Sequence, residues 1–129
     1  MKISKFEDIK AWQEARELTR EIYALTRISA FSHDYGLADQ IRRASISIMA
    51  NIAEGFDSNS DAQFINFLSY SQRSASELQS HLYVALDQGY ISNEKFNGLY
   101  NKAEKIKHLL GGFIKYLKTK KDEAPITNN

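Results

Sequence analysis

Phe64, Leu68, Ser71, Ala75, Leu78, Leu82 and Ala85 recur at alternating steps of four and three along the middle of the chain. That heptad spacing keeps one stripe of a helix on one side, whereas a half-buried strand would alternate every second residue. A second run repeats it: Phe96, Leu99, Ala103, Ile106, Leu110, Phe113 and Leu117. Upstream, Ile9, Trp12, Ala15, Leu18, Ile22 and Leu25 are spaced by three or four, and Leu37, Ile41, Ala44, Ile48 and Ile52 line one face of a further segment. The single proline, Pro125, lies beyond all four runs, so nothing interrupts a helical reading.

The boundaries follow from end signals. Helices are predicted over about Phe6–Ile28, Leu37–Glu54, Asp61–Gln88 and Asn93–Lys118, with residues 29–36 (SAFSHDYG) as a loop. Gly55 offers a left-handed residue after the second helix, and Gly89 one after the third. Ser60 with Gln63 fits a capping box, and Ser92 fits the N-cap of the last helix. Gly111 and Gly112 inside that helix cost about 2 kcal/mol together relative to alanine, which a close helix approach or a kink would explain. Connections this short join antiparallel neighbours. The predicted fold is therefore all-α, an antiparallel up-down-up-down four-helix bundle over residues 1–118 with a disordered polar tail, 119–129. The alternative is a hairpin of the last two helices completed only in an oligomer. The core is expected at Leu18, Ile22, Ile41, Ile48, Leu78, Leu82, Ile106 and Leu110.

At 129 residues one domain buries roughly 65–70% of its unfolded surface and needs no disulfide or metal staple. The chain has no cysteine, which excludes disulfides, thiolate metal sites and cysteine nucleophiles and suits a reducing cytoplasm. No run has the length of a membrane span, and residues 1–12 lack the apolar core of a signal peptide. The net charge of +1 argues against a strongly electrostatic nucleic-acid binder. The charge is nonetheless uneven, with eight lysines against two acids over residues 91–121.

On a wheel at about 100° per residue the second helix shows three faces. Beside its core line, Ala38, Ile46, Met49 and Ala53 make a second apolar face, interrupted by Arg42. A wider core contact is one use for it; a subunit interface is the other. Gln40, Arg43, Ser47, Asn51 and Glu54 make a polar third face. Arg43 and Glu54 are three turns apart, so each needs a partner on another helix or another subunit. A structural network of Arg43, Asn51 and Glu54 is expected there in preference to a ligand site.

Phe6 followed by AWQEA (11–15), YGLADQIRRAS (35–45), NIAEG (51–55), FINFL (64–68) and SASEL (74–78) together resemble the four-helix-bundle family encoded in intervening sequences of 23S ribosomal RNA genes. The resemblance spans roughly residues 6–118. It implies a left-turning antiparallel bundle assembled into a ring, typically a pentamer, with no established molecular function. It also implies kinship with accessory proteins of diversity-generating retroelements, which associate with a reverse transcriptase and bind nucleic acid through a basic surface. Two departures stand out: Arg73-Ser74 replaces the family's usual Gly-Ser, and the chain is near neutral where the retroelement proteins are basic.

Catalytic signatures are wanting. Glu77 with His81 and Glu104 with His108 are ordinary i,i+4 pairs, and the inward Glu-x-x-His of bundle di-metal sites is missing. No nucleophile elbow or phosphate loop occurs. No catalytic residue, metal or cofactor is expected. Lys107, Lys115 and Lys118 fall within about 80° on the last helix and are the candidate phosphate-facing strip. Two functions of different class stay open: a non-enzymatic homo-oligomeric scaffold or adaptor, and an accessory factor for RNA or DNA.

Overall fold

The computed structural model describes residues 2–123, with side chains as far as Lys120. A 3-10 turn, Phe6–Asp8, leads into α1 (Lys10–Thr26), a short α2 (Ser29–His33), α3 (Tyr35–Phe56), α4 (Asp61–Asp87) and α5 (Asn93–Glu123). Each long helix lays its apolar stripe against two others: α3 packs on α4, α4 on α5, and α1 on both α3 and α5. The result is a four-helix bundle with one continuous core. All eight expected core residues are fully buried, joined by Leu68, Leu99 and Ile52.

The first helix is shorter than predicted. The Asp8 carboxylate accepts hydrogen bonds from the Ser4 backbone N–H at 3.0 Å, the Ser4 hydroxyl and the Lys5 N–H. These hold residues 4–8 in a separate turn, and the extended Ile9 starts α1 anew. The predicted loop at 29–36 is also revised, because Phe31 is buried against the ring of Tyr90 at 5.0 Å and winds Ser29–His33 into helix. Asp34 then caps α3 through the Leu37 N–H, so that helix begins two residues earlier than expected.

Gly55 does not end its helix in the left-handed conformation; it lies buried inside α3. A Cβ there would fall 2.8 Å from Phe64 Cδ1 and from Phe67 Cβ, so the glycine serves close packing of α3 on α4. Two hydroxyl contacts extend that approach: Ser71 donates to the Ile48 carbonyl at 2.6 Å, and Ser47 meets Ser74 at 2.9 Å. They fix an antiparallel register in which paired residue numbers sum to about 120. Gly89 does turn left-handed, at φ 78°. Tyr90 N–H reaches the Ala85 carbonyl and Gly89 N–H the Leu86 carbonyl, which makes a Schellman end. Ser60 and Ser92 cap α4 and α5 as expected.

The last helix passes the expected end at Lys118 and continues to Glu123. No glycine or proline falls between Gly112 and Pro125, and the Thr119 hydroxyl donates to the Lys115 carbonyl. Of the expected tail, residues 124–129 lie outside the described residues. Gly111 has its close approach, to the Gln72 side chain, whereas nothing lies near Gly112 and the helix runs on without a break.

Candidate interaction surface

The second apolar face of α3 is used unevenly. Ala38 is buried within the chain, so the wider core contact accounts for it. Met49 and Ala53 are half-buried, and Ile46 stands 42% exposed. Arg42, in their midst, is held from α1: its Nε donates to Thr26 Oγ1 at 2.8 Å, and its guanidinium lies 4.7 Å from the centre of the Tyr23 ring. Thr26 is itself buried and anchored on the Ile22 carbonyl. The guanidinium is thereby fixed, and Arg42 borders two shallow depressions. One is lined by Tyr23, Asp39, Arg43, Ile46 and Ser47, the other by Arg27, Ser32, Tyr35 and Ala38.

The polar face is revised. Asn51 donates to the Ser47 carbonyl at 2.9 Å and to the Ser47 hydroxyl, which meets Ser74 on α4. Asn51 is thus linked across helices, but the link does not reach Arg43 or Glu54. Arg43 is exposed and pairs one turn back with Asp39 at 2.9 Å. Glu54 is exposed, and among the described residues it has no cationic partner. A carboxylate four residues away satisfies Arg43 before any group on α4 can. Among the described residues, then, neither is tied to another helix.

The three lysines do not form one strip. Lys107 turns onto α4, donating to Gln79 Oε1 at 3.1 Å, with Glu104 at 3.8 Å. Gln79 is buried and also donates to Glu104 at 2.9 Å. That hydrogen bond, against some desolvation and with help from the charges of Lys107 and His108, holds the Glu104 carboxyl below its usual range. Lys115 and Lys118 are exposed, as is Tyr116, whose ring lies toward Phe113 on another side of the helix. The sequence hid this arrangement because Gln79 adjoins Leu78 on the core line and gives no sign of reaching across to α5.

Glu77 lies 3.5 Å from His81, and Glu104 lies 3.4 Å from His108. Among the described residues no three His, Asp or Glu side chains gather as a metal site would require. Nor is any described helix long and apolar enough to cross a membrane.

The family model described as 23S rRNA-intervening sequence protein matches residues 7–112. No curated protein matches. Among solved structures, the chain is similar to the crystal structure of a protein with unknown function from the S23 ribosomal protein family of Bacteroides thetaiotaomicron VPI-5482. The two are 27% identical with a TM-score of 0.75, over 81% of this chain and 95% of that one.

Proposed function

The chain belongs to the 23S rRNA-intervening sequence protein family, and from that premise we propose that it acts by assembly, as a non-enzymatic cytoplasmic scaffold or adaptor built from about five identical copies in a ring. The supporting observation is the outer face of α3, where exposed Ile46 adjoins half-buried Met49 and Ala53 beside the anchored Arg42. Covering one large apolar side chain contributes roughly 1.5–3 kcal/mol. Repeated at each contact of a closed ring, that offsets part of the cost of association. Light scattering at tens of micromolar tests the proposal. A multiple of the single-chain mass is expected, and a monomer defeats it. Ile46→Glu with Met49→Glu should lower the mass; an unchanged assembly would move the interface elsewhere.

A second reading has its own support in exposed Lys115 and Lys118, two cations on one side of the last turns of α5. Such a pair suits the phosphates of a nucleic acid. Each phosphate contact would steepen the salt dependence of binding by about 0.7–0.9 in log–log slope. Replacing both lysines with glutamate should abolish retention on RNA. A wild type that fails to bind RNA at low salt ends this reading.

A further inference from the structure

The outer flanks of α3 and α4 carry matching patterns of opposite charge. On α3, Tyr35, Arg42 and Met49 are seven residues apart, an apolar–cation–apolar stripe. On α4, Tyr70, Glu77 and Val84 are also seven apart, an apolar–anion–apolar stripe. Tyr35 is 76% exposed, Tyr70 44% and Val84 43%. Arg42 is half-buried and rigidly held, and among the described residues its only polar partner is the Thr26 hydroxyl. Among the described residues the only ionic partner of Glu77 is His81, on its own helix.

Resting on the assembly proposed above, we infer that Tyr35, Arg42 and Met49 of one copy receive Val84, Glu77 and Tyr70 of the next. The register inside the chain supports this occupant. Because Ser71 bonds to Ile48 and Ser47 to Ser74, Glu77 stands at the height of Arg42 along the bundle, Val84 at that of Tyr35 and Tyr70 at that of Met49. Two copies side by side with parallel axes therefore bring all three pairs level, α4 running antiparallel to its neighbour's α3. A head-to-tail contact without axial offset closes into a ring, whereas one with an offset climbs into a filament. On ideal wheels in a square bundle the two stripes face roughly 110° apart. Successive copies then turn by about 70° and close after about five. The planar guanidinium, stacked on Tyr23 and bonded through Nε, keeps its terminal nitrogens free to fork a carboxylate.

The full-length chain tests this by mass. Arg42→Glu and Glu77→Arg should each reduce the wild-type assembly to the single-chain 14.8 kDa. Combining the two in one chain should restore the wild-type mass. Circular dichroism checks that each variant is folded. Because the chain has no cysteine, Tyr35→Cys with Val84→Cys provides a second route that leaves both charges in place. Oxidation should give a disulfide-linked ladder with the double variant, and at most a dimer with either single one. An assembled wild type whose mass survives both charge reversals, or a double-cysteine chain that gives no ladder, overturns the pairing and leaves the broader assembly standing. A monomeric wild type overturns both.

Discussion

A methyl group on Gly55 would press on Phe67 Cβ, an atom fixed by its own backbone, at 2.8 Å. Gly55→Ala should therefore destabilise the bundle by about 1–3 kcal/mol, the usual cost of overpacking. Gly112 sits in helix, and a methyl group there would meet nothing within 4 Å, so Gly112→Ala should stabilise by about 0.5–1 kcal/mol. Urea denaturation of the two variants checks the opposite signs; a neutral Gly55→Ala would mean that α3 and α4 can part at no cost. Gly55 also shows where sequence reasoning loses its hold. A glycine after a helical run has two uses, a left-handed turn or a close contact. Gly89 takes the first and Gly55 the second. The turn is a local matter and could be anticipated, whereas the contact depends on Phe64 and Phe67 arriving from another helix. The same limit hid the hydrogen bond from Arg42 to Thr26 and the one from Gln79 to Glu104.

Helices are fastened here by a few polar groups at their ends and seams. Asp34 caps α3 through the Leu37 N–H and also accepts the Tyr90 hydroxyl at 2.9 Å, joining the start of α3 to the segment before α5. Asp34→Ala removes both bonds and should cost about 1–2 kcal/mol by thermal melting; a loss no larger than that of Tyr90→Phe would show the cap to be idle. The seam between α1 and α5 is held by Lys102 with Glu21 and by Lys105 with Glu14. Burial opposes the charge on Glu14, but hydrogen bonds from Lys10 and Lys105 and their charges outweigh it, and the carboxyl is held below its usual range. A carboxyl lowered in the folded state contributes its stability above the unfolded value, about 4.3, and loses it as pH falls through the folded one. Glu14→Gln should thus flatten the decline in stability below about pH 4.3, with little change in its slope near neutrality. An acid limb identical to wild type would contradict the pairing. The heptad stripes made the helices themselves legible, and their serine caps marked where two of them start. The break at Ile9 was not legible, because it comes from the Ser4–Asp8 turn and leaves the apolar period intact.

For the molecule as a whole, the arrangement follows from four apolar stripes and three connections too short to cross the bundle. Its core could be named from spacing, since every expected position is fully buried. The surface could not, because spacing does not tell which outward apolar residues a neighbouring helix shelters: Ala38 is covered while Ile46, two turns on, is open. An even number of antiparallel helices has one more result. Ile3, Ile9 and Lys10, where the first helix enters, line the same depression as Tyr116, Leu117 and Lys120, where the last one leaves. The order in which the helices are strung is therefore separable from the way they pack. A circular permutant that links these two ends with a short Gly-Ser segment and opens between Ser58 and Asn59 should keep the same core. Its helical spectrum should match wild type, with melting lowered by the loss of the Ser58 bond to the Gly55 carbonyl and of the Gln63 bond to the Asn59 N–H. Failure to fold would show that the bundle depends on its thread as well as its packing. If it folds, the protein is in effect a closed loop of helices that happens to be cut at one place.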